Sequence, residues 1–272
     1  MLQRLLLLTL GILIVNGCNT DIDKNITTDL QVEGKEIFNI SLGLEEAYFF
    51  AFQTLDFYRT VIPDSLPSCP AVTINEAERK VTLTFDKSRV CPSGEKLQRE
   101  GKIHLQYINQ NALESITRLE YEDYEVRKIK IEGSRDFKQI RSLTNPNRRT
   151  EKFDDLLLIN EFKSSSKISG NYEFQLSILS GRLSGFESFG SLEGRNITGR
   201  PISMAPVANK RYLVECINQG MVMPIQGSER WQIFRNATSS TNHTLIYENE
   251  SGCEIKAKVN LFDGRVLIFE LK

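Results

Sequence analysis

The segment TLTFDKSRVC, Thr82–Cys91, sets the pattern from which the rest of the chain can be interpreted. Its apolar and polar residues alternate before an acidic turn and a cysteine, and TLIYENESGC, Thr244–Cys253, repeats this order with the same spacing. A glycine, a basic residue and a second apolar run follow each cysteine, at Glu100–Ile103 and Asp263–Val266. Because a period of two is typical of a half-buried strand, the echo predicts one strand-turn-strand unit that occurs twice.

The period of two continues through most of the chain after Cys69. The alternating sets are Val72/Ile74, Val81/Leu83/Phe85, Ile103/Leu105/Tyr107, Ile129/Ile131, Tyr172/Phe174/Leu176/Ile178, Leu245/Tyr247 and Ile255/Ala257/Val259/Leu261. They predict a mainly β protein with antiparallel strands, arranged as a sheet or as a sandwich or jelly roll. Arg265–Leu271 is apolar on both faces, which indicates a central strand.

One segment has helical periodicity instead. In Leu44–Tyr58 the apolar residues recur at intervals of three and four, Ser41 can cap the start, and Pro63 follows the end. We therefore expect one N-terminal helix that covers the core of the β region.

Four cysteines lie in the β region, and the repeat suggests how they pair. In an exported chain they favour two disulfides over free thiols, although four cysteines allow three pairings. Pairing Cys69 with Cys91 and Cys216 with Cys253 treats both copies of the unit alike, so we predict these two bonds. The alternative is a zinc site, but zinc-binding cysteines usually stand two to four residues apart, and here no two are closer than 22 positions. We expect neither a metal nor a cofactor.

The first residues have the order of an export signal. Arg4 precedes the apolar run Leu5–Val15, which is too short to cross a bilayer and suits the core of a cleaved signal peptide. The next residues, VNGC at Val15–Cys18, resemble the lipobox of bacterial lipoproteins, whose cysteine is lipidated and becomes the new N-terminus. An ordinary secretory signal cleaved nearby is the alternative. The lipobox implies that Cys18 anchors the protein in the cell envelope, and we expect the outer membrane.

These patterns divide the chain into four parts. We predict a signal peptide at residues 1–17, a flexible tether at residues 18–34, a helical segment at residues 35–65 and an all-β region at residues 66–272. The tether is expected to be unstructured because it is polar and holds too few apolar residues to form a core. The all-β region contains both disulfide-linked units.

Charge and histidine content exclude several functions. The 34 basic and 35 acidic residues nearly cancel, so nothing favours nucleic acid as a partner. We expect His104 and His243 to face solvent, which disfavours a Ser-His-acid triad.

Carboxylates are grouped in Glu120–Glu125 and at Asp154 and Asp155, and two of them held about 5 to 10 Å apart could hydrolyse a glycoside. Adjacent strand residues point to opposite faces, however, so turns and a solvated edge are the simpler interpretation.

Several segments resemble an uncharacterised family of exported Bacteroidetes lipoproteins. They are SCPAVTI at Ser68–Ile74, VTLTFD at Val81–Asp86 leading to Cys91, and GKI at Gly101–Ile103. In that family, strands of the form V-T-I-D-F-G lead to a cysteine and a G-K-I strand follows. The resemblance extends over roughly residues 66–272 and implies an exported β scaffold. Because the family has no assigned activity, it implies no catalytic residue.

We expect from these observations a membrane-anchored lipoprotein that works without catalysis, as a binding or structural module of the envelope. Its ligand would be a glycan or a protein. One alternative is a carboxylate-dependent glycan-active enzyme, which requires two carboxylates in one cleft. The other is a lipid carrier with a jelly-roll groove, which requires a continuous apolar groove.

Overall fold

The computed structural model describes residues 22–91 and 97–271, with side chains from Leu30 onward. The helices are α1 (Ile22–Glu45), α2 (Tyr48–Ala51), α3 (Leu55–Thr60) and α4 (Val214–Asn218), with a 3-10 turn at Pro63–Ser65. The strands are β1 (Ala71–Asn75), β2 (Lys80–Phe85), β3 (Arg99–Asn109), β4 (Glu114–Val126), β5 (Ile129–Glu132), β6 (Ser134–Ile140), β7 (Arg148–Ile159), β8 (Ser165–Leu179), β9 (Arg182–Arg195), β10 (Pro201–Leu213), β11 (Gln226–Phe234), β12 (Ser240–Ser251), β13 (Glu254–Asn260) and β14 (Val266–Glu270).

All fourteen strands belong to one antiparallel sheet in which neighbours in the chain are neighbours in space. The exception is the pair β5 and β6, which both lie between β4 and β7 and together occupy one strand position. Gly133 separates them with a φ of 123°, a conformation that favours glycine. The predicted mainly β antiparallel fold is confirmed, in the form of a single sheet.

The sheet wraps around α1. Acidic side chains of this helix bind partners on β8, β10 and β12, and Glu46, directly after it, binds β3. Phe38 stacks on Phe269 of β14 with 4.3 Å between ring centroids. Strands far apart in the sheet order therefore face the same helix, and the core is the space between the helix and the inner face of the sheet.

Two glycines let α1 approach the strands closely. A Cβ atom on Gly34 would lie 2.7 Å from Leu267, and one on Gly43 would lie 2.7 Å from Leu158. Leu267 belongs to β14 and Leu158 to β7, so the helix is held between two separate parts of the sheet. A larger residue at either position requires these leucines to move.

The N-terminal region differs from the prediction in two ways. Instead of one helix over Leu44–Tyr58, the chain forms the end of α1 and the short helices α2 and α3, with Thr54 capping α3 through its side chain. The expected flexible tether also differs, because α1 begins at Ile22 and Glu33 is buried. Composition alone does not predict that this segment is helical and partly buried, because it cannot show that Glu33 pairs with charged residues inside the sheet.

The expected central position of Arg265–Leu271 is wrong, because β14 is an edge strand. Its inner residues Leu267 and Phe269 pack against the core, whereas Val266 and Ile268 on the outer face are at least half exposed. Both faces of the strand are apolar, but only the inner face is covered by other residues.

Both predicted disulfides are present. Cys69–Cys91 joins the segment before β1 to the segment after β2, and Cys216–Cys253 joins α4 to the turn between β12 and β13. The repeat therefore identified the correct pairing. The predicted signal peptide and Cys18 lie outside the described residues. In the part of the chain that is described, no helix is both long and apolar enough to cross a membrane.

Candidate ligand-binding site

The interior contains an unusual number of charges, and four of the buried acidic residues lie on α1 or directly after it. Glu33, Glu36, Glu45 and Glu46 are each no more than 7% exposed. A buried carboxylate is costly unless it is paired or hydrogen-bonded, so the partners of these four residues decide whether they are structural or available for chemistry.

Glu33 binds three side chains, one from β12, one directly after β11 and one directly before β10. Its carboxylate accepts hydrogen bonds from Arg235, from Arg200 at 3.2 Å and from His243 Nε2 at 3.1 Å. Burial alone would raise the pKa of Glu33, but the hydrogen bonds from His243 and Arg235 outweigh it and hold the pKa below its ordinary value.

The expectation that both histidines face solvent is wrong for His243, which is fully buried. It has the same strand parity as Leu245 and Tyr247 and therefore points inward with them. His104 lies on the opposite side of β3 from Ile103 and Leu105, where it contacts Thr82 and Glu122.

Glu45 shares a lysine with Glu229 deep in the core. Lys210 Nζ lies 3.0 Å from Glu45 and 2.5 Å from Glu229, and all three residues are almost fully buried. Burial raises the pKa of Glu45 to about 7; Lys210 opposes the shift, and the nearby negative charge of Glu229 adds to it. Two carboxylates with one ammonium group leave one unmatched negative charge, so a proton on Glu45 is favoured.

Glu46 and Arg135 complete the buried charges around the end of α1. Glu46 accepts hydrogen bonds from Arg99 Nε at 3.0 Å and Tyr124 Oη at 2.6 Å. Arg135 donates to Glu151 at 2.6 Å and to the carbonyl oxygen of Leu44 at 2.9 Å. Burial raises the pKa of Glu151, whereas in Arg135 the attraction of Glu151 outweighs burial and raises the pKa further. These contacts attach the C-terminal end of α1 to β3, β4 and β6.

The acidic residues that the sequence singled out do not meet in a cleft. Asp154 and Asp155 bind Lys152 and Lys167 at an exposed bulge of β7, and Glu122 binds Lys102 and His104 on the outer face. Glu45 and Glu229 do lie close together, since both bind Lys210, but neither lines the two clefts described below.

An arginine-lined cleft opens where α2 passes into α3. It is formed with the adjoining ends of β3, β4, β6 and β7, has a volume of about 330 Å³, and we name it the arginine cleft. Its charged lining residues are Arg59, Arg79, Arg141, Arg149 and Asp56. Arg59 is paired with Asp56 and Glu76. The other three arginines have no carboxylate within salt-bridge distance among the described residues.

A second cleft, the apolar cleft, lies beside the middle of α1, where β4 passes into β5 and β7 passes into β8. It has a volume of about 410 Å³, and its floor includes Phe38, Ile129, Leu158 and Phe269. Phe162, at the turn between β7 and β8, is 78% exposed at its margin. Lys35, Arg127 and Lys128 also border it.

Arg141 and Arg149 of the arginine cleft belong to the segment RSLTNPNRRT, Arg141–Thr150, whose composition is that of a basic turn. The turn is present, but β7 begins at Arg148, and Arg149 therefore points inward in phase with Glu151 and Phe153. Strand parity counted back from Phe153 is the signal that could have identified Arg149 as a residue of the interior.

Comparison with known proteins adds no assignment to this geometry. No family model, no curated protein and no solved structure matches the chain.

Proposed function

We propose that this protein is an exported lipoprotein of the cell envelope, anchored through Cys18, that binds a ligand in the arginine cleft without catalysing a reaction on it. One observation carries the proposal. The carboxylates of Glu33, Glu36, Glu45 and Glu46 all bind protein partners, whereas Arg79, Arg141 and Arg149 face an open cleft without a carboxylate partner among the described residues. The cleft thus offers guanidinium groups that can donate hydrogen bonds to a ligand.

The anchor rests on the lipobox-like segment VNGC at Val15–Cys18. Lipidation of Cys18 would hold the folded sheet at a membrane surface, since two or more acyl chains anchor a protein stably. Cells are grown with radiolabelled palmitate, and the wild-type chain is compared with Cys18→Ala. The label is expected on the wild type alone; label that persists in Cys18→Ala refutes the anchor.

The absence of catalysis is tested against the glycan-active alternative. The purified protein is incubated with a panel of chromogenic aryl glycosides at pH 5 and at pH 7. We expect no release of the chromophore. Release of the chromophore would instead favour the enzyme, and a Glu45→Gln/Glu229→Gln variant would then test the carboxylate pair that shares Lys210.

The apolar cleft favours lipid carriage as a second candidate function. A fluorescent fatty acid tests it, with Phe162→Asp in the cleft and Leu143→Asp as the matched control on the fully exposed turn between β6 and β7. Lipid carriage predicts that only Phe162→Asp weakens binding. Equal binding by both variants removes this candidate.

A further inference from the structure

The inner face of the sheet presents a row of polar side chains to the arginine cleft. Ser115 of β4 is paired with Gln139 of β6, and Gln139 is paired with Arg149 of β7. Residues that are directly paired on antiparallel strands lie about 5 Å apart on the same face. A hydroxyl, an amide and a guanidinium group therefore stand side by side, and Arg141, the residue directly after β6, also lines the cleft.

Arg149 is the least compensated charge of this row. Its Nη1 donates to the carbonyl oxygens of Pro146 and Arg148, both at 3.0 Å, which fixes the guanidinium group against its own turn. Burial lowers the pKa of Arg149 to about 10, and no carboxylate opposes that shift. A partly desolvated cation in a cleft gains more from an incoming anion than an exposed one does.

The neighbouring arginines add to the positive field. Arg141 donates only to the carbonyl oxygen of Ala112, and Arg79 lies in the turn between β1 and β2. Asp56, the acidic residue of the lining, is already bound to Arg59. The cleft therefore carries excess positive charge, although the whole chain has a formal net charge of −1.

The walls of the cleft are apolar where the row of polar groups ends. Phe52, Leu55 and Phe137 all line it and are at most 9% exposed. A volume of about 330 Å³ lies at the small end of the range for ligand pockets. These dimensions suit an organic molecule of one ring that has an anionic group at one end.

We propose that the arginine cleft binds a small organic oxyanion, whose carboxylate or phosphate group is held by Arg149 and Arg141. Ser115 and Gln139 hydrogen-bond its polar substituents, and Phe52 and Phe137 contact its carbon skeleton. This inference rests on the proposed binding function and specifies the ligand class for that site.

Isothermal titration of the purified protein with four probes tests the charge and the size together. Glucuronate and glucose 6-phosphate carry a carboxylate and a phosphate on the same ring, glucose is the neutral match, and inorganic phosphate lacks the ring. We expect both ring anions to bind more tightly than glucose and than phosphate, and the tighter of the two identifies the preferred group. Glucose binding as tightly as glucuronate, or phosphate binding as tightly as glucose 6-phosphate, would overturn the proposal.

A pair of adjacent residues supplies matched variants. Arg149→Gln removes the inward guanidinium group, whereas Arg148→Gln removes an exposed one that pairs with Glu173 on the outer face. Since a charge-assisted hydrogen bond contributes about 1.5 to 3 kcal/mol, Arg149→Gln should weaken binding of the better ring anion at least about tenfold. Arg148→Gln should change it less than about twofold.

Arg141→Gln gives a second variant at an exposed position, in case Arg149→Gln disturbs folding. Equal losses in Arg148→Gln and Arg141→Gln would indicate nonspecific attraction to positive charge and refute the site. The titration results do not bear on whether Cys18 is lipidated, because palmitate labelling at Cys18 does not depend on the cleft. Labelled protein that binds neither ring anion refutes this inference while leaving the anchor intact.

Discussion

The carboxyl group of Glu45 should make the stability of the protein depend on pH in a direction opposite to that of an ordinary salt bridge. Burial raises its pKa in the folded state to about 7, from an ordinary value of 4.5. The folded state therefore favours the neutral carboxyl. The resulting stabilisation is complete below pH 4.5, falls as the pH rises from 4.5 to 7, and changes no further above 7.

The size of the effect follows from the shift. A displacement from 4.5 to about 7 corresponds to about 3 kcal/mol at roughly 1.4 kcal/mol per pKa unit. Glu45→Gln keeps a neutral hydrogen-bonding side chain at all pH values. The difference in unfolding free energy, variant minus wild type, should therefore rise by about 3 kcal/mol between pH 4.5 and pH 7.5.

The protein contains its own reporter for this measurement. Trp231 is the single tryptophan, is fully buried, and donates from Nε1 to Glu229 at 3.0 Å within the same cluster. Urea unfolding followed by tryptophan fluorescence at four pH values gives the free energies. Glu173→Gln, an exposed residue paired with Arg148, controls for the loss of one carboxylate. A difference for Glu45→Gln that stays constant with pH would refute the extra proton in the Glu45–Lys210–Glu229 cluster.

Three further changes test the scaffold. Replacing Cys216 and Cys253 together by serine should lower the unfolding free energy by roughly 3 to 4 kcal/mol, because the two residues are 37 positions apart. A reductant should then lower the melting temperature of this variant less than that of the wild type. Gly194→Ala should lower the unfolding free energy, measured with urea, by about 2 kcal/mol or more, because the new Cβ would lie 2.1 Å from a carbonyl oxygen of β8. Arg135→Met should lower the unfolding free energy by about 3 to 5 kcal/mol, because it leaves Glu151 buried and unpaired. Adding Glu151→Leu should recover most of this loss, which a double-mutant cycle measures.

The sequence was sufficient for the strands whose inward residues are apolar. Alternation identified β2, β3, β8 and β13, and the repeated cysteine unit identified both disulfides. It failed where inward residues are charged, as in β7, because hydropathy treats Arg149 and Glu151 as solvent-facing. The same physical reason explains why residues 22–34 of α1 were predicted to belong to a flexible tether, since Glu33 is buried there.

The arginine cleft could not be predicted at all from local pattern. Ser115, Gln139 and Arg149 are separated by 10 to 34 positions in the chain and become neighbours only through the register of β4, β6 and β7. A shift of one residue in either pairing would move a member of the row to the outer face. The site therefore depends on strand register, which a single sequence without turn signatures at these positions does not define.

The buried charges of α1 explain how that register and the curvature of the sheet are maintained. A sheet in which each strand pairs with the next in the chain has no pairing that dictates how far it must curl. Here Glu46, directly after α1, binds β3 and β4, Glu36 binds β8, and Glu33 binds β12 and Arg235, the residue after β11. Because each carboxylate is costly to bury without its own partner, rotating the helix or uncurling the sheet would leave some of these carboxylates unpaired. The ionic interior thus favours the wrapped arrangement, in which α2, α3 and four strand ends build the arginine cleft together.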